Sequence, residues 1–187
     1  MTVPPNPAPT TATNVVRQWD DGQLLVPEPD DVLSWDLALQ HLADARLYWH
    51  VSQRADTHAH VRPVFAVERD GMLWSTTSTG ARKTGLVEHR PRCSLAASTE
   101  GMDLVYEGVA VPVHDPDRLE RVAGAYRRKY GWPVDVTPDG AFDAPFGAPA
   151  AGPPPYRVYA YEPVTVWGFG TDERYATRST RWDFDPS

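Results

Sequence analysis

Short β-type segments separated by turn residues recur along the chain after residue 46, and this pattern limits its fold more than any other feature. β-branched and aromatic residues are frequent in these segments. Arg69-Asp70-Gly71 predicts a tight hairpin turn, because an Asp-Gly pair accepts positive φ. We predict strands at 46–52, 60–68, 72–77, 93–98, 103–113, 156–161 and 164–169. This succession predicts a mainly β fold, a small barrel with peripheral α-helices.

Three helices are predicted around these strands. The first begins at Asp31 or Ser34, either of which can cap it, and continues through leucines at helical spacing. The second covers 81–88. The third begins at Asp115-Pro116, because Asp is a good cap and Pro suits the first turn, and it ends near Tyr130.

The composition along the chain predicts one folded domain with a tail. Residues 1–30 are expected to be a flexible, Pro-rich N-terminal tail, within which apolar residues such as Trp19 offer a point of docking. Residues 31–187 are expected to form the domain. Residues 133–155 carry many Pro, Gly and Ala without periodicity, which predicts a long surface loop; such loops are often functional.

Charge and cysteine content exclude several classes of partner and location. The net charge of −7 and the pI of about 5.3 argue against nucleic acid and against an anionic membrane surface. Cys93 is the single cysteine of the 187 residues, so no intrachain disulfide can form. No apolar run is long enough to span a bilayer, and the N-terminus lacks the pattern of a secretory signal. We therefore expect a cytoplasmic protein.

The segment 73–84 carries the chemistry that is easiest to interpret. A strand ends in the hydroxyl cluster Ser75–Ser78, Gly80 follows, and a helix begins with Arg82 and Lys83 in its first turn. Free N–H groups at a helix N-terminus attract anions, and hydroxyl and guanidinium groups add hydrogen bonds to phosphate oxygens. The two cations oppose the helix dipole unless an anion is bound there. A solvated loop with two surface cations is the alternative that these residues leave open.

Several short sequences occur in an order that resembles the pyridoxamine 5'-phosphate oxidase-like superfamily of flavin- and deazaflavin-binding split barrels. They are His60–Val64, Asp70–Thr76, Arg82-Lys83, Arg90–Leu95, Tyr106–Ala110, Lys129–Trp132 and Thr180–Phe184. The similarity extends from about Trp35 to Phe184. Each sequence is weak evidence alone, but their order is fairly specific.

The resemblance implies an FMN-binding split β-barrel that pairs as a homodimer and holds two cofactors across the interface. It implies a flavoprotein oxidoreductase that transfers hydride to or from a small organic substrate, with coenzyme F-420 slightly favoured over FMN. The phosphate end of the cofactor would contact Ser75, Thr76, Thr77, Ser78, Arg82 and Lys83. The strand Arg62, Pro63, Val64 would line the ring. Trp182 would either reach a partner's cofactor or pack in the core, and no catalytic residue is assigned.

Two alternatives to this function arise from the sequence. His58-Ala59-His60 places two imidazoles close together, but no third or fourth ligand follows at a suitable spacing, so no metal site is predicted. One of these histidines could instead be the axial ligand of a haem. A non-catalytic carrier would keep the phosphate-binding residues without an open substrate pocket over the ring.

Overall fold

A computed structural model of the chain describes residues 6–20, 22–25, 27–28, 30–54, 58–147 and 151–185, without the side chains at positions 18–20, 24–25, 82–83 and 86. The helices within these residues are α1 (Trp35–Asp44), α2 (Arg82–His89) and α3 (Pro116–Tyr130). The strands are β1 (Thr11–Asn14), β2 (Gln18–Asp20), β3 (Gln23–Leu25), β4 (Tyr48–Gln53), β5 (Ala59–Val64), β6 (Ala66–Arg69), β7 (Met72–Ser78), β8 (Arg92–Thr99), β9 (Met102–Pro112), β10 (Asp135–Val136), β11 (Phe142–Asp143), β12 (Tyr156–Gly170) and β13 (Thr180–Asp183).

One large antiparallel sheet organises the molecule. Its main path runs β1-β13-β12-β9-β8-β4-β5, and β7 joins it by pairing with the first half of β12, while β6 pairs with β7. The long strand β12 therefore connects the two parts of the sheet. This architecture confirms the predicted mainly β fold with a few peripheral helices.

Two buried clusters lie on opposite sides of β7. The first lies among α1, β8 and β9 and includes Leu42, Tyr106 and Trp182. The second lies under α3 and includes Val122 and Phe142. Because alternate residues of a strand point to opposite faces, β7 contributes Leu73 to the first cluster and Trp74 to the second.

The local signals for turns and helix starts are confirmed. Asp70 and Gly71 have φ of 54° and 74°, as the predicted hairpin requires. The Ser34 hydroxyl accepts a hydrogen bond from the Leu37 amide at 3.3 Å and caps α1. The Asp115 carboxylate accepts one from the Arg118 amide at 2.8 Å and caps α3. Of the helices in the described residues, none has the length and apolar character needed to cross a membrane.

Two predicted strand boundaries differ from the structure. The segment 60–68 is broken at Phe65, since β5 pairs with β4 whereas β6 turns away to pair with β7. The predicted strands at 156–161 and 164–169 are the single strand β12. A register shift between Pro163 and Thr165 lets the strand continue past the proline, which has no N–H to donate.

Parts of the predicted tail and loop are ordered. Within the span 1–30, β1 pairs with β13, and the buried Asn14 amide donates to the carbonyls of Asp31 at 2.7 Å and Thr177 at 2.9 Å. Within 133–155, β10 and β11 pair, and Val134 and Phe142 are buried. Residues 1–5, 21, 26, 29 and 148–150 of these two segments lie outside the described residues, as does the side chain of Trp19.

Candidate functional site

The strand β7 divides the predicted phosphate-binding hydroxyls between its two faces. Ser75 and Thr77 share the face of Leu73, and Thr76 and Ser78 share the face of Trp74, because side chains alternate along a strand. The four side chains therefore do not converge on one point. An anion next to β7 can contact at most one of the two pairs through side chains.

Two of these hydroxyls form hydrogen bonds within the protein. The buried Ser75 Oγ lies 2.6 Å from the Tyr161 hydroxyl. The buried Ser78 Oγ donates to the Pro153 carbonyl at 2.7 Å, which ties the end of β7 to the long segment before β12. Ser75 and Ser78 thus stabilise the strand, and Ser78 has already donated its hydroxyl proton.

Thr77 is better placed to bind an anion. The Thr84 hydroxyl has one proton, which it donates to the Ser78 carbonyl at 2.7 Å, while its oxygen lies 3.4 Å from the Thr77 hydroxyl. The Thr77 hydroxyl can then donate to Thr84 Oγ, and an anion beside β7 would compete with Thr84 for this proton. Thr77 is 7 % exposed, at the end of β7 next to α2.

The structure adds one cation that the sequence interpretation missed. Arg157 on β12 is the cross-strand partner of Thr77, and its guanidinium forms an ion pair with Glu88 of α2. Residues directly opposite on an antiparallel pair share a face. The sequence signal was a single basic residue in a β-type segment, which is too common to identify a site.

The helix α2 begins at the predicted position. Arg82 is its first residue, and the turn before it is closed by the Ala81 amide donating to the Ser78 carbonyl at 3.0 Å. The first turn holds no acidic residue, as an anion site requires. The backbone of Arg82 and Lys83 is thus at the N-terminus of α2, while their side chains lie outside the described part of the structure.

The predicted ring-lining strand lies at an edge of the sheet. In the described residues β5 pairs with β4 alone, Arg62 and Pro63 are exposed, and Val64 is half-buried. An edge strand tolerates a proline and presents backbone groups to a ligand. The ring-lining role of this strand stays a prediction.

A row of paired residues, exposed at one end and half-buried along the rest, crosses one face of the sheet. Trp49 on β4 lies opposite Pro63 on one side and Ala96 on the other, and it is 49 % exposed. The row continues through Val105 to Trp167. It is an apolar surface that begins at the predicted ring strand.

Trp182 lies in the core rather than at a surface. Its indole is 1 % exposed and packs on the Trp35 ring with centroids 5.7 Å apart. Its ring atoms lie against Gly168. Because the indole is almost fully covered by its own chain, Trp182 packs in the core, and its contact with a cofactor stays a prediction.

A groove and a pair of histidines lie away from the predicted phosphate site. A groove of about 720 Å³ lies between the end of α1 and the 172–175 segment, and no predicted site residue with a described side chain lines it. Among the described residues, His, Cys, Asp and Glu form no group of three that could hold a metal ion. His60 is on β5 opposite Ser52, and His58 immediately precedes this strand.

Lys129 of α3 is a half-buried amine that lies between β4 and β6. Its Nζ donates to the Tyr48 hydroxyl at 3.0 Å and to the Ala66 carbonyl at 3.2 Å. Burial lowers the pKa of Lys129 to about 8, although Asp44 and Glu68 oppose this shift. The neutral amine still has two protons, one for each of these two oxygens.

The lowered pKa predicts how stability depends on pH. The unfolded chain binds more protons than the folded one between the folded pKa of about 8 and the ordinary value of 10.5, so stability rises with pH there. We expect the free energy of unfolding of the wild type, relative to that of Lys129→Met, to rise by about 2 kcal/mol between pH 7.5 and 10. Urea denaturation of both proteins at a series of pH values measures this difference in the free energy of unfolding. A difference that stays constant with pH would contradict the prediction.

Comparisons with known proteins identify the fold. No family model and no curated protein matches the chain, whereas solved structures do. An FAD-binding protein from Mesorhizobium loti is 15% identical with a TM-score of 0.51, and 82% of this chain and 96% of that chain are covered. A protein from Clostridium acetobutylicum, related to general stress protein 26 and of the pyridoxinephosphate oxidase family, is 10% identical with a TM-score of 0.54, and 80% of this chain and 93% of that chain are covered. An F-420 reductase is 14% identical with a TM-score of 0.50, and 68% of this chain and 93% of that chain are covered.

These likenesses confirm the fold that the sequence resemblance predicts. The chain has the split-barrel fold of pyridoxamine 5'-phosphate oxidase-like proteins, among which are proteins described as binding FAD or as reductases of F-420. Identities of 10–17% across the matching structures establish the shared fold and nothing about this chain's own ligand.

Proposed function

We propose that the chain is an oxidoreductase that binds a phosphorylated flavin-type cofactor, with F-420 slightly favoured over FMN. The observation that carries the proposal is the junction of β7 and α2, where the Thr77 hydroxyl lies 3.4 Å from Thr84 Oγ in the first half of α2. Arg157, opposite Thr77, adds a cation at this junction, and its guanidinium pairs with Glu88 near the C-terminal end of the helix. Lys83 and Arg82 would complete this phosphate site, since cations in the first turn of a helix are favourable beside an anion.

The ring of the cofactor would lie along β5. The exposed edge formed by Arg62, Pro63 and Val64 supports this placement. When bound, the cofactor supplies the hydride chemistry for a small, planar organic substrate. The protein's own residues hold the phosphate, orient the ring and exclude water from it.

We further propose that the protein acts as a homodimer in the cytoplasm. The row of paired residues that begins at Pro63 and includes the half-exposed Trp49 supports a second copy covering this face. A partner there would lie next to the proposed ring strand and enclose the cofactor. This arrangement accounts for an apolar surface beside a site that must exclude water.

An absorption spectrum of the protein as purified identifies a bound cofactor, and titration with FMN and with F-420 measures the affinity for each. A band at about 450 nm indicates FMN, one at about 420 nm the deazaflavin, and a Soret band haem. Reduction of a substrate by the reduced complex separates an enzyme from a carrier. A Soret band with no affinity for FMN or F-420 would overturn the proposal.

Substitution of Lys83 tests the phosphate site. We expect Lys83→Ala to weaken FMN or F-420 binding about 30-fold, because a charged hydrogen bond to phosphate contributes about 2 kcal/mol. Riboflavin, which has no phosphate, should bind equally to both proteins. His60→Ala is the control and should retain full affinity. If Lys83→Ala binds FMN and F-420 as tightly as the wild type does, the site is misplaced.

A further inference from the structure

The corner between β5 and β6 is held by side chains of one helix. The chain leaves β5 after Val64, passes through Phe65, and enters β6 at Ala66. The Tyr130 hydroxyl donates to the Ala66 carbonyl at 2.8 Å, and Lys129 Nζ donates to the same oxygen at 3.2 Å. Two donors from α3 therefore occupy the two acceptor sites of one backbone carbonyl.

Neighbouring contacts fix the same corner. The Tyr126 hydroxyl lies 3.1 Å from the carbonyl oxygens of both Phe65 and Trp74, so it bridges the corner and β7. The Phe65 ring packs on the Tyr130 ring with centroids 4.6 Å apart. Lys129 also bonds Tyr48 on β4, the strand that pairs with β5. The helix thus contacts the corner residue Phe65 and the strands β4, β6 and β7 around it.

The corner connects the two halves of the proposed cofactor site. β5 is the proposed ring strand, while β6 pairs with β7, which leads to the proposed phosphate site. A ligand that contacts both halves gains affinity only if the spacing between them matches its length. A rotation of the corner would change this spacing without altering either half.

We propose that Tyr130 and Lys129 are positioning residues that fix the corner at Phe65 and Ala66 and thereby set the spacing between the ring strand and the phosphate site. The proposal rests on the proposed function, because it assigns a role toward the same cofactor. It predicts that these residues affect binding of the whole cofactor and leave binding of its separate parts unchanged.

The experiment compares Tyr130→Phe and Lys129→Met with the wild type. Tyr130→Phe keeps the ring that packs on Phe65 and removes only the hydroxyl. Affinities are measured for FMN, riboflavin and inorganic phosphate, the last by competition with FMN; if F-420 is the ligand, it is compared with its chromophore lacking the phosphate tail. Arg128→Met, an exposed cation on the same turn of α3, is the control. Circular dichroism and thermal melting verify that each variant folds.

We expect each variant to bind the whole cofactor about tenfold more weakly than the wild type, and the ring and phosphate fragments within twofold. Arg128→Met should match the wild type with all ligands. If a folded variant binds the whole cofactor as tightly as the wild type, the positioning role is overturned while the proposed function stands. The same holds if a variant loses affinity for the ring fragment and for the whole cofactor by the same factor. If the wild type binds neither FMN nor F-420, the proposed function itself fails and the positioning role falls with it.

Discussion

Replacing Trp182 with alanine is expected to lower the free energy of unfolding by about 4 kcal/mol, the usual cost of removing a large aromatic side chain from a close-packed core. The indole is 1 % exposed and lies between Trp35 and Gly168, so the substitution leaves a cavity beside both. Neighbouring backbone in β12 and β1 is paired with β13 and cannot collapse into the space. Urea denaturation measures the loss.

Arg181→Ala provides the control on the same strand. Its side chain is exposed, pairs with Asp183 and lies over the Trp167 ring, 5.4 Å from the centroid. Exposed ion pairs contribute little, so we expect a change of less than about 1 kcal/mol. A loss at Trp182→Ala no larger than that at Arg181→Ala would show that the indole does not support the core.

Short-range features of the fold could be predicted from the sequence. The Asp70-Gly71 turn and the Asp115 cap depend on the conformational preferences and hydrogen bonds of a few adjacent residues. The start of α2 at Arg82 was predicted to within one residue for the same reason. These signals located the candidate phosphate site without knowledge of the rest of the fold.

Features that depend on distant contacts could not be predicted in this way. The break at Phe65 lies within a continuous β-type segment, and it depends on α3 side chains about 60 positions away. The burial of Trp182 depends on Trp35 and Gly168. Arg157 became a candidate only when the pairing of β12 with β7 placed it opposite Thr77. Sequence patterns indicate local periodicity, and they do not show which strands become neighbours in the sheet.

The glycine in the Tyr106–Ala110 motif is expected to be essential for the same kind of long-range reason. Gly108 on β9 lies opposite Pro163, where β12 shifts its register. A Cβ at this position would lie 2.5 Å from the Glu162 carbonyl oxygen, which is backbone and cannot move without disturbing the strand pairing. A glycine inside a strand often marks such a close backbone approach.

We therefore expect Gly108→Ala to lower the free energy of unfolding by about 3 kcal/mol, because the added methyl group overpacks two paired strands. Gly85→Ala in α2 is the matched control, since a Cβ there meets nothing within 4 Å. It should raise stability by about 0.5 kcal/mol through the higher helix propensity of alanine. Urea denaturation of both variants measures these changes. If Gly108→Ala is as stable as the wild type, the close approach of β9 and β12 does not exclude a larger side chain at position 108. If both variants lose stability equally, the loss reflects glycine replacement in general rather than the contact with Glu162.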